Sequence, residues 1–457
     1  MTEIGIHQSW SSRTGFLMAS VGLAVGLGNL WRFPYIAGLN GGGAFVLLYI
    51  FFVLAFGVPI IMGELALGRR GRLSAVGTMK KLTAEAGASP AWQSIGWLSL
   101  LVPFLGLAYY SIVAGWSFDY IYRALSGAFA GLDSAASTAA FDALQADPVR
   151  VISLQFAFIT LTVLVVGLGV QKGIERASKI MMPALFAMLL LLVVYAVFAG
   201  EFARGLSFLF NPDFSALTPK AVLMAMGQAF FSIAVGVGGL MTYGAYIPER
   251  ISLPRAALVI AGADTLVAIL AGLAIFPIVF ANGLDPQGGP GLIFATLPVA
   301  FGGMPAGALF GALFFLLFLF AGFTSALGMV EPIVCWVEEK WQVGRMTMAA
   351  TVGLLAGIIG IAPALSFNKL ADVKLLAGIP GVENWNIFQI FDGLVANLML
   401  PINALLISLF AGWILSRKVA EEELGLTGKP FLAWQFSVRF VAPLAIITIV
   451  LFGFFGA

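Results

Sequence analysis

About eleven runs of mostly apolar residues divide the chain, and each is long enough to cross a lipid bilayer. A membrane-spanning helix needs about 20 consecutive, predominantly apolar residues. Hydrophobic residues make up 60% and charged residues only 10% of the 457 positions, which excludes the soluble classes. The sequence therefore predicts an all-α membrane protein, with spans near residues 12–38, 41–68, 91–125, 150–168, 177–199, 220–247, 256–282, 305–337, 346–362, 385–415 and 431–456.

The distribution of lysine and arginine predicts the orientation of these spans. Most of the 24 basic residues lie in alternate connections, beginning with the segment before the first span. Because short cytoplasmic loops are enriched in lysine and arginine, we expect the N-terminus inside the cell. An odd number of spans then puts the C-terminus outside. The predicted location is the cytoplasmic (inner) membrane, with a multi-pass chain.

Two of the spans contain the same unusual pattern of glycines. AVGLG at 24–28 returns as AVGVG at 234–238, although glycine in a helix interior costs about 1 kcal/mol relative to alanine. Glycine also allows close packing of membrane helices, which is the alternative reading of a single copy. Interrupted spans at matching positions of two halves are typical of a transporter site at the bilayer midplane. Freed carbonyls there suit a small cation, and freed amides suit a carboxylate.

Residues suited to other kinds of chemistry are scarce. His7 is the only histidine and Cys335 the only cysteine, so a metal site with several histidines and an intramolecular disulfide are both excluded. No credible pair of nucleophile and base is present, and the predicted protein is not an enzyme. A net charge of +2 gives no reason to expect nucleic acid as a partner.

Five stretches carry a resemblance to a known family: WSSRTGFLMASVGLAVGLGNLWRFP at 10–34, NGGGAF at 40–45, KGIERASKIMMP at 172–183, GQAFFS at 227–232 and FAGFTSALGMVEP at 320–332. Their order and spacing resemble the neurotransmitter:sodium symporter family over nearly the whole chain. The resemblance implies sodium-driven amino-acid uptake on the ten-helix inverted-repeat fold of the bacterial leucine transporter. Many members have twelve spans, whereas this chain is expected to have eleven.

The resemblance also implies how the chain is organised. We expect a single membrane domain over residues 1–457, in which helices 1 and 6 are unwound at the midplane. The first repeat, with helices 1–5, would cover residues 1–200, and the second, with helices 6–10, residues 201–416. Residues 417–457 would form the additional helix 11.

Two sodium sites and a substrate pocket are carried over from the family onto matching positions. Ala321, Thr324 and Ser325 share one helix face by their spacing, although such hydroxyls also bond back to their own helix. The first sodium site would use Ala24, Asn29, Ser232 and Asp264, and the second would use Gly22, Val25, Ala321, Thr324 and Ser325. The pocket would be lined by Ala24, Leu27, Gly28, Gly106, Tyr110, Phe231, Ser232, Ala234, Val237, Ser325 and Met329.

Three positions bear on the substrate and the ions. Asp264 lies deep in an apolar span, where an acid is a functional hypothesis by default. The family commonly has asparagine there, and its chloride-dependent members add a serine one turn later, where this chain has Ala268. We therefore predict transport without chloride. Gly26 stands where the monoamine transporters carry aspartate, which favours a substrate with its own carboxylate.

Gates and a hinge are implied in the same way. Arg32 and Asp392 resemble the external gate pair, above Tyr110 and Phe231. The internal gate would consist of Trp10, His7, Glu339 and Tyr246, with His7 in place of the usual arginine and Glu339 as its partner. Gly173 and Pro183 resemble a pattern that permits local unwinding near the second sodium site. Glu64 is expected to bond to the broken backbone of the sixth span, and Glu331 to lie with Gln228, Arg32 or water.

The leading hypothesis is a sodium-coupled importer of a neutral, hydrophobic or aromatic L-amino acid that works by alternating access. Small or medium residues at Gly106, Ala234 and Val237, where the leucine transporter is bulkier, favour a large apolar side chain. The alternatives are another small carboxylate-bearing solute, such as an imino acid or osmolyte, and an amino-acid sensor without flux. The expected partners are the amino acid, two sodium ions and the lipid bilayer, and the expected state is a monomer or weak dimer.

Overall fold

The computed structural model describes residues 8–284, 291–341, 343–379 and 381–455, and within these ranges the chain is helical, with no strands. Nine helices in this described part are long and apolar enough to cross a membrane. With shorter helices between them, the elements are α1 Arg13–Ala24, α2 Gly28–Leu39, α3 Gly43–Gly71, α4 Ala75–Glu85, α5 Pro90–Leu125, α6 Ser134–Ala146, α7 Pro148–Gly167, α8 Val170–Ala199, α9 Phe202–Phe210, α10 Pro219–Ser232, α11 Gly239–Ala245, α12 Leu253–Ala281, α13 Leu292–Gly303, α14 Gly307–Trp341, α15 Arg345–Leu365, α16 Ile387–Ile414, α17 Arg417–Leu424 and α18 Gly428–Phe452.

The first predicted span is a bent pair of helices. α1 and α2 meet at an angle of 49° across residues 25–27, which we call the first break. Ser12 caps the start of α1 by accepting a hydrogen bond from Gly15 N, and Val25 has left helical geometry, with φ −68° and ψ 102°. If the pair counts as one span, the apolar helices of the described part number up to ten.

The sixth predicted span is interrupted more severely. α10 ends at Ser232 and α11 begins at Gly239, and residues 233–238 between them form the second break. Ala234, Gly236 and Gly238 all have positive φ angles, of 52°, 82° and 84°. Glycine adopts positive φ angles readily, whereas alanine rarely does. The expected unwinding of helices 1 and 6 is therefore present, while the total of eleven spans and the inverted repeat stay predictions.

The broken helices lie inside the bundle. α1 packs against α8, α12 and α14, and α5 lies along α14. Of the nine long helices in the described ranges, α5 and α14 are the most deeply buried and α18 the least. The core is thus built around α1, α5 and α14, and α18 lies at the periphery with much of its apolar surface exposed.

Several predicted boundaries are corrected. α3 continues to Gly71, α8 begins at Val170 rather than near 177, and α14 runs on to Trp341. Each extension adds polar or charged residues that an apolar window rejects, although a helix that leaves the hydrocarbon can continue with its backbone hydrogen-bonded internally. In α8 the added residues Val170–Glu175 form a π-helical segment. α13 was not predicted, since its short apolar run follows a stretch rich in glycine and proline.

Candidate functional site

A cavity of about 70 Å³ lies where the two breaks meet α5, α14 and α16. The eleven residues predicted for the substrate pocket all line it, which means that segments far apart in the chain converge as expected. Sequence reasoning missed further lining residues on the same elements. These are Leu23, Gly26, Val102, Pro103, Tyr109, Val395 and Leu400. Those on α5 could have been found, because Val102, Gly106 and Tyr110 recur at helical spacing.

The polar groups of the cavity gather around the first break. Leu27 N donates a hydrogen bond to the Tyr110 hydroxyl at 3.3 Å. Gly26 has no space for a side chain, since a Cβ there would lie 2.7 Å from Ser325 Oγ and 3.1 Å from Tyr110 Oη. Most of the remaining lining is apolar. The cavity therefore offers a few hydrogen-bonding groups beside the first break and an apolar environment elsewhere.

Three of the four residues predicted for the first sodium site form one hydrogen-bonded cluster. Asn29 Nδ2 donates to Asp264 Oδ1 at 2.7 Å and to Ser232 Oγ at 3.1 Å, and Ser232 Oγ donates to Asp264 Oδ2 at 2.7 Å. Tyr49, which was not predicted, adds its hydroxyl 3.1 Å from Asp264 Oδ2. All four side chains are buried. Ala24, the fourth predicted member, ends α1 and lines the cavity.

The residues predicted for the second site lie where α1 ends against α14. Ser325 Oγ lies 3.1–3.3 Å from the carbonyl oxygens of Gly22, Leu23 and Val25. The Thr324 hydroxyl donates back to Phe320 O at 3.0 Å and to Ala321 O at 3.3 Å, the alternative that its sequence left open. Such a bond uses the proton and leaves oxygen lone pairs free. Carbonyl and hydroxyl oxygens thus converge on one point.

The face of the bundle that carries Trp10, here called the N-terminal face, is closed by side chains. Trp10 Nε1 donates to Tyr243 O at 3.1 Å, and the Tyr246 hydroxyl donates to Glu331 Oε1 at 2.7 Å. Glu331 also forms an ion pair with Arg345. The expectation that Glu331 lies with Gln228 or Arg32 is wrong. It lies six residues along α14 past Ser325, about 9 Å towards the N-terminal face, whereas α2 carries Arg32 towards the opposite face.

Glu339, a predicted member of the internal gate, bonds to the backbone of a neighbouring helix start. Its Oε2 accepts a hydrogen bond from Ser74 N, the residue that caps α4, at 2.6 Å. The proposed partner His7 lies outside the described residues. Glu339 therefore fastens the end of α14 to the start of α4 on the N-terminal face.

At the opposite face, Arg32 and Asp392 do not form a direct ion pair within the described part of the chain. The Arg32 guanidinium lies over the Phe231 ring, 4.5 Å from its centroid, and Asp392 lies near both Arg32 and the Tyr109 hydroxyl. A second cavity, of about 340 Å³, extends from Arg32 and Phe231 to Ile449 on α18. Phe231 lines both cavities and separates them.

The predicted hinge residues lie on one continuous helix, α8. Gly173 is buried, and a Cβ there would lie 1.9 Å from Val165 O on α7, so close helix packing alone requires glycine. Pro183 lies inside α8 without ending it. Near Gly173, the Glu175 carboxylate accepts hydrogen bonds from Ser11 N and Oγ at 2.9 and 2.5 Å. The start of α8 is thus fastened to the segment before α1.

The fold and these clusters define a class of protein: a multi-pass membrane transporter with two interrupted helices around a central cavity. The model of the sodium:neurotransmitter symporter family matches residues 7–140 and 147–456. The chain belongs to this family, and it is a sodium-dependent transporter rather than an enzyme.

Relatives and a solved structure agree with this assignment. An uncharacterized sodium-dependent transporter of Bacillus subtilis, YhdH, is 42% identical over 446 residues, covering 97% of this chain and 96% of the relative. Another, from Haemophilus influenzae, is 32% identical over 452 residues, covering 97% of each chain. The crystal structure of MhsT in complex with L-phenylalanine superposes with a TM-score of 0.89 at 39% identity, covering 98% of this chain and 100% of that one.

Proposed function

We propose that the protein imports a neutral, hydrophobic or aromatic L-amino acid, driven by sodium. The observation that carries the proposal is the central cavity, in which the Tyr110 hydroxyl and the backbone of the first break face an otherwise mostly apolar lining. An amino acid presents matching groups, with a carboxylate at one end and an apolar side chain at the other. MhsT, whose fold this chain shares, was crystallised in complex with L-phenylalanine, which supports an aromatic substrate.

In this proposal, one sodium ion binds among Ala24, Asn29, Ser232 and Asp264. The carbonyl, amide, hydroxyl and carboxylate oxygens of these residues are the ligands that a hard cation prefers. Asn29 closes the first break, and Ser232 is the last residue of α10 before the second. The ion would therefore hold the two broken helices together next to the substrate, and each ligand would strengthen the binding of the other.

The second sodium ion would bind where Ser325 faces the carbonyls at the end of α1. Gly22, Val25 and Ala321 would contribute carbonyl oxygens, and Thr324 and Ser325 hydroxyl oxygens. A Cβ on Gly22 would lie 2.9 Å from Thr324 Cβ, so α1 approaches α14 closely enough for one ion to contact both. Such an ion would hold α1 against α14 until it leaves.

Alternating access would use the two faces in turn. With the N-terminus in the cytoplasm, Trp10, Tyr246 and Glu331 form the internal gate. The 340 Å³ cavity beside Arg32 is then the extracellular entrance, and Phe231 lies between that entrance and the substrate. Closure of the entrance would bring Arg32 to Asp392. Gly173 and Pro183 remain the candidate hinge for release of the second ion.

The experiment is uptake into proteoliposomes under an inward sodium gradient, with each of the twenty amino acids as competitor. We expect sodium-dependent accumulation, inhibited most strongly by aromatic and large aliphatic L-amino acids. Binding without accumulation would favour the sensor, and accumulation of only an imino acid or an osmolyte would favour the other solute class. Dissipating the sodium gradient with an ionophore is the control, since it should abolish accumulation and leave binding intact.

A further inference from the structure

One residue of the second break is held by side chains on both of its backbone groups. Gly236 N donates to Glu64 Oε2, on α3, at 3.1 Å, and Gly236 O accepts a hydrogen bond from Asn403 Nδ2, on α16, at 2.7 Å. A residue in an irregular segment has no regular backbone partners, and its buried polar groups must be bonded elsewhere. Two helices thus fix the position of Gly236 from two sides.

Asn403 connects a third element as well. It is fully buried, and its Nδ2 also donates to Ser99 Oγ, on α5, at 3.0 Å. Its Oδ1 has no hydrogen-bond partner among the described residues. The amide nitrogen of Asn403 therefore donates both of its hydrogen bonds. These two bonds connect α16 to α5 and to the second break.

The elements around these hydrogen bonds are closely packed. A Cβ on Gly236 would lie 2.6 Å from Leu400 O on α16, and one on Gly238 would lie 2.4 Å from Ser99 Cβ on α5. Pro103 cannot donate a hydrogen bond to Ser99 O, its usual helical partner, and Gly238 lies directly against that carbonyl. The second break therefore contacts α16 closely at Gly236 and α5 closely at Gly238.

These contacts lie one helical turn from the walls of the substrate cavity. Leu400 precedes Asn403 by three residues, Val102 follows Ser99 by three, and Val237 is next to Gly236; all three line the cavity. The spacing between α5, α16 and the second break sets the distance between these walls. The Asn403 amide is the group that bonds all three elements to one another.

We propose that Asn403 is a positioning residue that sets the width of the substrate cavity and thereby the size of the side chain that is accepted. The proposal rests on the proposed amino-acid transport. Asn403 does not line the cavity, so its effect passes through Leu400, Val102 and Val237. Loss of its hydrogen bonds lets these walls move apart, which weakens discrimination between large and small apolar substrates.

The first test compares substrate selectivity in Asn403→Leu, Ser99→Ala and Ser408→Ala. Asn403→Leu keeps the branched shape and the number of heavy atoms and removes both hydrogen bonds, and Ser99→Ala, the milder variant, removes one. Ser408→Ala is the matched control, because Ser408 is a buried polar residue of α16 that bonds to Val438 O instead. The measurement is the ratio of the inhibition constants of L-valine and L-phenylalanine in the uptake assay.

We expect the ratio to change about fivefold in Asn403→Leu and about twofold in Ser99→Ala, the range that one or two hydrogen bonds allow, and not at all in Ser408→Ala. Equal weakening of both inhibitors in Asn403→Leu would overturn the proposal, since a purely structural defect acts on all substrates alike. An equal change of the ratio in Ser408→Ala would overturn it too. If Asn403→Leu does not fold, Ser99→Ala decides by the same criteria.

The second test needs no transported substrate. Cys335 is the only cysteine, so Val237→Cys in a Cys335→Ser background carries one thiol, in the second break. We expect Asn403→Leu to raise its rate of labelling by a charged methanethiosulfonate, and Ser408→Ala to leave it unchanged. If the wild type transports no amino acid, the proposed function fails, and an unchanged labelling rate then overturns the positioning role separately. Where the wild type does transport, an unchanged selectivity overturns the proposal whatever the labelling rate.

Discussion

The two breaks arise from nearly the same five residues but are stabilised in opposite ways. In the first, Asn29 N donates to Gly26 O at 3.2 Å and Asn29 Oδ1 accepts from Gly26 N at 3.0 Å. In the second, Glu64 accepts from Gly236 N and from Met241 N, at 3.1 and 3.3 Å. Gly26 in the first break is thus held by a residue three positions further along the chain, whereas Gly236 in the second is held by a carboxylate from another helix.

The difference follows from the number of backbone groups that each break frees. The first break has three residues, and Asn29 bonds to both backbone groups of the middle one. Residues 233–238 are too many for a single neighbouring side chain to satisfy. The Glu64 carboxylate also lies at the start of α11, where the helix dipole favours negative charge. Its predicted bond to the broken sixth span is confirmed. In the first break the asparagine nitrogen donates to the Asp264 cluster, and its oxygen, which accepts from Gly26 N, keeps a second lone pair. We therefore expect the first break to bind ions through oxygen atoms while the second is held rigidly.

Removal of the remote carboxylate should have the largest effect. Glu64→Ala leaves two buried amides without an acceptor, at a cost of about 1–3 kcal/mol each. We expect no measurable uptake and a lower unfolding temperature in detergent, with partial recovery in Glu64→Gln, which keeps one acceptor oxygen. Glu201→Ala, at an exposed acid paired with Arg204, is the control. Normal uptake by Glu64→Ala would mean that the second break needs no support from α3.

Glycine-to-alanine substitutions should show a further difference between the two breaks. Gly238→Ala forces a φ of 84° on alanine and sets its Cβ 2.5 Å from Ser99 O, so we expect at least a tenfold loss of uptake and reduced stability. Gly26→Ala meets only the ends of two side chains and should raise KM several-fold in a stable protein. Gly262→Ala, with nothing within 4 Å, is the neutral control. A lower unfolding temperature in Gly26→Ala than in Gly238→Ala would contradict this prediction.

The Asn29 side chain should affect ions more than folding. Asn29→Ala removes the bonds to Ser232 and Asp264 and one oxygen of the proposed first sodium site. We expect the sodium concentration for half-maximal substrate binding to rise about tenfold, the effect of one charge-assisted contact of about 1.5 kcal/mol, with a smaller loss of thermal stability than in Glu64→Ala, because one buried amide, Gly26 N, loses its acceptor. An unchanged sodium dependence would remove Asn29 from the site.

The spans and both breaks could be read from the sequence, because lipid requires every crossing segment to be apolar and hydrogen-bonded within itself. A local pattern such as AVGVG then marks the exceptions. The side chains that complete the site left no such signal. Asn403 and Gly236, or Tyr49 and Asp264, are joined only by the folded bundle, and no spacing rule connects them. Likewise, no spacing rule predicts that Tyr109 lies near Asp392 together with Arg32.

The smallest expected effect concerns chloride. Asp264 places a fixed negative charge beside Asn29 and accepts hydrogen bonds from Ser232 and Tyr49. A bound anion in the same place would be repelled by that charge and deprived of those donors, and Ala268 adds no hydroxyl. Replacing chloride by gluconate should therefore change uptake by the wild type less than twofold. The matched variant is Asp264→Asn with Ala268→Ser, which removes the charge and supplies a donor, and its uptake should rise with chloride. A tenfold loss of wild-type uptake in gluconate would show that the carboxylate does not replace an anion.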